Sequence, residues 1–344
     1  MATTETKVLD NIIASRRAML IGGGAALAAL AVATPAKAAN PVTTFTDADI
    51  LNFALNLEYL EGNFYYLAAF GTTIDKPNAA SIAAGGPSGG IGITGSVGTP
   101  GVVLVKPNPM VPFVSVQVGS YATETAIEEG KHVSFLRSAL GSAAVAQPTL
   151  DLFTAWDTLA SAAGIGPSFD PFASDANFLV GAYVFEDVGV SAYHGAAPFI
   201  SRTDAGKKIL GAAVGIHAVE AYHAGLVRTS INVIDPDGSK GLIGLTQKVS
   251  ALRTKLAQAA APAGSTPPAG QFGDDIPLTP GSNMFNVGGN MVPTTTLVDA
   301  DFAFVRGFSR TTTQVLNIVT GGGAVGSGTA KGVFFPNGLN GLFS

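Results

Sequence analysis

Apolar positions recur with a helical period along most of the chain. From Asp47 to Phe70 (DADILNFALNLEYLEGNFYYLAAF) they fall at Ile50, Phe53, Leu57, Leu60, Phe64 and Leu67, with Thr46 or Asp47 placed to cap the first turn. The same period predicts helices from about Ser115 to Leu140, Ala176 to Ile200, Ala205 to Ile231 and Leu242 to Ala260, and a last one at Thr311–Val319. Pro148–Leu159 reads as a short helix or connector. Residues 71–113 are rich in Gly and Pro (GGPSGG, GTPG, PNPM) and read as a long loop with one short strand at Val102–Val105. Gly164–Asp175 and residues 261–300 also read as loops. Two long helices, a connector and two more long helices predict an all-α fold. Its centre is a four-helix bundle over residues 44–232, with long Gly/Pro-rich crossover loops. Residues 233–344 form a carboxy-terminal extension with an extra helix that packs on the bundle.

An internal repeat sharpens this picture. LNLEYLEGNFYYLAA (Leu55–Ala69) aligns with YVFEDVGVSAYHGAA (Tyr183–Ala197), pairing Glu58 with Glu186 and Tyr65 with Tyr193. EEGKHVSFLRSAL (Glu128–Leu140) aligns with VEAYHAGLVRTSI (Val219–Ile231), pairing Glu129 with Glu220, His132 with His223 and Arg137 with Arg228. The identities fall on polar residues that apolar periodicity does not explain, so the chain reads as a duplicated helix pair. A spacing of three residues is about 300° of rotation and about 4.5 Å of rise, so the Glu and His of each Glu-x-x-His share a helix face. The predicted metal ligands are therefore Glu58, Glu129, His132, Glu186, Glu220 and His223, four carboxylates and two imidazoles. Four ionised carboxylates in an apolar bundle are costly, and two divalent ions would balance them. The alternative is protonation of several of the carboxyls.

Other polar residues carry two readings each. Glu61, one turn after Glu58, faces the same way, but its repeat partner is Gly189, which argues for a role beside the ligands rather than among them. Tyr65 and Tyr193 lie two turns beyond a ligand and are either hydrogen-bond donors to the carboxylates or core tyrosines. His217 sits three residues before Glu220, near the metal face, and His194 lies off the Glu186 stripe; both read mainly as packing. Glu128 and Asp187 adjoin ligands in sequence and are expected to point elsewhere. Arg137 and Arg228 are expected in ion pairs at the bundle end. No Gly-rich segment is followed by Gly-Lys-Ser/Thr, and no nucleophile elbow is present.

The amino terminus changes the picture of location. Arg16-Arg17 directly precedes the apolar run Met19–Ala33 (MLIGGGAALAALAVA), and Ala36-Lys37-Ala38 fits a small-x-small cleavage site. The run is shorter than the ~20 residues of a membrane span. Residues 1–38 thus resemble a twin-arginine export signal, with Met19 where that motif usually has Phe; an amino-terminal anchor is the other reading. The resemblance implies export of an already folded protein to the periplasm or cell exterior.

Composition narrows the function classes. Of 344 residues only 12% are charged and 47% are hydrophobic, so the chain has apolar surface enough for a large core. The formal charge of −5 (−7 without residues 1–38) and the lack of Lys/Arg runs exclude a basic nucleic-acid binder. There is no cysteine, which excludes disulfides, thiolate metal sites and cysteine nucleophiles.

The ligand pattern resembles the ferritin-like superfamily. The helix DADILNFALNLEYLEGNFYYLAAFG and the tail FSRTTTQVLNIVTGG…GVFFPNGLNG resemble, more closely, its desiccation-related ferritin-like proteins, over roughly residues 44–344. The family places metal ligands at the six positions named above. Carboxylate and imidazole without thiolate suit iron or manganese, with zinc also compatible. The expected chemistry is redox with oxygen or peroxide in stress protection, without nucleic acid, without membrane insertion after signal cleavage, and in a homo-oligomer or alone. The alternative is an exported structural protein whose metal only stabilises the bundle.

Overall fold

The computed structural model describes residues 45–260, 276–301, 305–323 and 331–342. The export signal read at residues 1–38 lies outside the described residues. So do 261–275 of the Gly/Pro/Thr-rich segment.

The first helix, α1 (Asp47–Phe70), starts at Thr46, whose hydroxyl accepts from Asp49 N while the Asp49 carboxylate accepts from Thr46 N. It is buried on nearly every side from Leu55 to Ala68. A helix with that pattern sits inside a molecule rather than on its face. After the five-residue helix α2 (Ala79–Ala83), the chain returns as α3 (Val116–Leu140), capped by Ser115. α4 (Thr154–Ala162) lies in the crossover to α5 (Asp175–Ala196), which Ser174 caps. Asp175 also accepts from Val114 N at 3.1 Å and Ser115 N at 2.8 Å, so one carboxylate ties the start of α5 to the start of α3. α6 (Asp204–Ile234) follows. α1 packs on α3 and α5 on α6, and the two pairs face each other through α1–α5 and α3–α6 contacts. These four helices are the predicted bundle.

Beyond the bundle, α7 (Leu242–Ala259) and α8 (Thr312–Val319) pack on each other and on α5. Their apolar residues, with Phe334, Phe335 and Leu339, join the bundle's own core. Phe64 lies at its centre, with the rings of Tyr65, Trp156, Phe172, Phe178 and Phe185 at 5.0–5.9 Å between centroids. Phe334 from the tail completes the group, 5.3 Å from Trp156 and 5.0 Å from Phe185.

The structure departs from the sequence reading in the connections. Helix α5 stops at Ala196 rather than Ile200, and a tight turn over Ala197–Phe199 carries Pro198, which has no N–H to continue the ladder. The predicted strand is short, β1 (Val103–Leu104), and pairs in parallel with β2 (Leu150–Asp151) inside the supposed connector. Residues 283–294, expected as loop, form an antiparallel hairpin of β3 (Asn283–Val287) and β4 (Asn290–Thr294). Gly288 and Gly289 have φ of 59° and 90°, as a two-residue hairpin turn requires. Nearly every residue of the hairpin is exposed, so no apolar alternation announces it.

Candidate metal centre

Each bundle helix turns one polar patch inward. α1 contributes Glu58 and Glu61, α3 Glu129 and His132, α5 Glu186, and α6 Glu220 and His223, all of them buried. Donor atoms of Glu58, Glu129, His132 and Glu220 lie within 4.8 Å of one another, and so do those of Glu129, Glu186 and His223. Glu129 belongs to both groups. The six residues predicted from the repeat therefore meet in two adjoining clusters.

His132 Nδ1 is 3.4 Å from Glu58 Oε2, 3.4 Å from Glu129 Oε2 and 3.5 Å from Glu220 Oε1. His223 Nδ1 is 3.0 Å from Glu129 Oε1 and 3.6 Å from Glu186 Oε2. None of these approaches is aligned as a hydrogen bond. Eight buried atoms of the six residues have no hydrogen-bond partner: Glu58 Oε2, both oxygens of Glu129 and of Glu220, Glu186 Oε2, and Nδ1 of each histidine. Buried polar atoms in native proteins are almost always paired, so a convergent set of eight is an arrangement that could hold a cation.

The outward atoms are held. The Tyr65 hydroxyl, from α1, donates to Glu186 Oε1 on α5, and the Tyr193 hydroxyl, from α5, donates to Glu58 Oε1 on α1. The repeat thus reappears as a reciprocal pair of straps between its halves. His223 Nε2 is 2.7 Å from Glu128 Oε2, which leaves Nδ1 facing the carboxylates. Glu128 was expected to point away. It lies about 100° around α3 from Glu129, but the His223 ring reaches out to it from α6. Apolar periodicity carries no signal for that contact.

Charge and burial oppose each other here. Burial raises the Glu58 carboxyl to about 7, with His132 pulling it down and Glu129 pushing it up. Burial, then Glu129, raise Glu220 well above the carboxylate range. Burial also raises Glu186, against the pull of His223. Glu129 is the exception: burial would raise it, but the two histidines on either side hold it below its ordinary value. Burial would lower His132 and His223, yet the surrounding carboxylates raise both. In the metal-free chain, imidazolium charges and carboxyl protons occupy the role that cations would fill.

Glu61 also faces the cluster. Burial, then the charges of Glu220, Glu129, Glu58 and Glu186, raise its carboxyl well above the usual range. Gly189, its repeat partner, lies beside it: a Cβ there would be 2.1 Å from Glu220 Oε2 and 3.5 Å from Glu61 Oε1. The missing side chain at Gly189 is what makes room for the Glu220 carboxylate, with Glu61 in ordinary contact beside it.

Other sequence candidates lie outside the clusters. His194 Nδ1 meets the carbonyls of Gly307 (2.8 Å) and Phe308 (3.1 Å), and His217 packs 5.8 Å from it, ring to ring. Arg137 donates to the Tyr59 hydroxyl and the Thr94 carbonyl rather than forming the predicted ion pair. Arg228 is deep in the molecule rather than at its end, bound to Asp187 by two nitrogens at 2.9 and 2.8 Å.

Comparison with known proteins agrees with this geometry. No solved structure matches the chain. A desiccation-related protein of Craterostigma plantagineum is 32% identical over 220 residues, 61% of this chain and 62% of that protein. The chain thus spans somewhat less than two thirds of the length of the curated relative it matches. The family model for a ferritin-like domain matches residues 46–233, from the cap of α1 to the last turn of α6. With its four facing helices and buried Glu/His clusters inside that span, the chain belongs to the ferritin-like family.

Proposed function

We propose that this chain is an exported di-metal carboxylate protein that carries out redox chemistry with dioxygen or peroxide in protection against stress. The observation that carries the reading is the set of eight inward donor atoms without a hydrogen-bond partner, gathered in two clusters. The residues fit a metal pair: Glu58, Glu129, His132 and Glu220 would hold one divalent ion, and Glu129, Glu186 and His223 the other. Oxygen and imidazole donors suit iron or manganese and accept zinc. Such a pair, bound as iron or manganese, supplies two electrons, enough with two protons to reduce dioxygen to hydrogen peroxide or peroxide to two waters.

The chain's own residues prepare that site. Tyr65 and Tyr193 grip the outer oxygens of Glu186 and Glu58, so the inner oxygens stay directed at the centre. Glu128 fixes the ring of His223. Glu129, the carboxylate kept most acidic, stands where both clusters need a negative charge. Export is supported by Arg16-Arg17 ahead of the apolar run, and a stress role by the desiccation-related name of the plant relative.

The test is elemental mass spectrometry of the mature protein, wild type beside Glu129→Ala. The expected result is about two iron or manganese ions per chain, lost in the variant. No metal in either, with a variant as stable as the wild type, overturns the reading.

A further inference from the structure

An apolar slot reaches the Glu61 carboxylate. A cavity of about 50 Å³ lies among α1, α4, α5, α7 and α8, walled by side chains such as Leu60, Trp156, Val188, Val249, Ile318 and Phe334. Only Glu61 and Arg253 bring charge to its lining, and the Arg253 guanidinium is turned onto the Asp187 carboxylate and the Tyr183 carbonyl. Its inner end is Glu61 and Gly189. A Cβ at Gly189 would lie 2.1 Å from Glu220 Oε2, so that carboxylate rests directly against the glycine that lines the slot. Its outer end is bordered by Leu159, Ala163, Ile165, Leu252 and Leu256, which are half-buried, so the slot runs toward solvent between α4 and α7.

Size and chemistry select the occupant. The slot has room for about four water-sized bodies. A buried water needs two to four polar partners, and apart from the Glu61 carboxylate, the Trp156 indole N–H and the engaged Arg253 these walls are apolar. Three of the wall elements, α4, α7 and α8, together with Phe334, come from the crossover and the extension rather than from the four bundle helices.

We propose that this slot binds a small, uncharged, apolar molecule and leads it to the carboxylate clusters. In the reaction proposed above that molecule is dioxygen, and hydrogen peroxide, with two hydroxyls to desolvate, is excluded from the slot. The identity of the occupant rests on that reading; the binding property of the slot does not.

Xenon, an apolar probe of similar size, separates the two. Under xenon pressure the methyl resonances of Leu60, Val188 and Val249 in the metal-free protein should shift, and Ala160→Phe, which fills the slot from α4, should abolish the shifts. In ferrous-loaded protein the same variant should slow oxidation by dioxygen about tenfold or more and leave oxidation by hydrogen peroxide within about twofold. Ala163→Trp, at the half-buried outer end, repeats the block should Phe at the buried position unfold α4. Absence of xenon shifts in the wild type overturns the proposal. So does a dioxygen rate unchanged in a folded, blocked variant. A wild type that takes up xenon but no metal retains the slot and removes the proposed redox function.

Discussion

Tyr193 and Glu58 show what single residues contribute here. The hydroxyl of the half-buried tyrosine, raised well above its usual range by desolvation and then by Glu58 and Glu220, stays protonated and donates to the carboxylate. A hydrogen bond to a charged group contributes about 1.5–3 kcal/mol, and here it also orients a carboxylate of the cluster. Tyr193→Phe is therefore expected to weaken manganese binding by about 10–100-fold, read by calorimetric titration, with the helix content unchanged. Tyr65→Phe should act alike through Glu186. At this scale much was legible in the sequence. The six clustered residues stood out because two copies of Glu-x-x-His, each with a partner Glu, are hard to obtain from packing alone. Glu61 was legible as a neighbour of the six, one turn from Glu58, whereas Glu128 was not, because it owes its place to the reach of His223 from another helix.

Elements are locked together by a buried charge cluster beside the site. Asp187 on α5 takes Arg228 of α6 through two nitrogens and Arg253 of α7 at 3.0 Å, and Arg310, just before α8, donates to its backbone carbonyl. Burial would raise the Asp187 carboxyl, but the arginines hold it below its ordinary value. Removing one member of a buried ion network leaves the others uncompensated. Asp187→Asn should cost about 3–5 kcal/mol, measured by urea unfolding, whereas loss of the exposed Lys207–Asp204 pair should be nearly silent. This is how the extension is fastened to the bundle. Periodicity located its helices well, because each buries one apolar stripe. It gave no hint of the fastening, since Arg228, Arg253 and Arg310 lie far apart along the chain, and none for the hairpin at 283–294, whose two faces are both exposed.

Across the whole molecule the site sets how stability responds to pH. Glu58 has a folded value of about 7 against 4.5 for the free group, so the folded metal-free chain holds that proton more tightly. Its stabilising contribution is complete below 4.5 and is lost as pH rises through about 7. Glu220, Glu186 and Glu61, raised likewise, act in the same sense, and so do His132 and His223 above 6.5. The thermal midpoint of metal-free protein should therefore fall from pH 5 to pH 8. Metal-loaded protein should show the opposite slope, because ions and protons compete for the same oxygens; midpoints by differential scanning calorimetry at both pH values decide it. The straps from Tyr65 and Tyr193 carry one more consequence. Each helix pair lends its hydroxyl to a cluster carboxylate of the other, so neither half is a self-sufficient unit, and the chain is in effect a homodimer written as one polypeptide. Damage to one half will be read out in the other. The departures from twofold likeness, Glu61 facing Gly189 and Glu128 facing Val219, are where the surroundings of the two clusters differ.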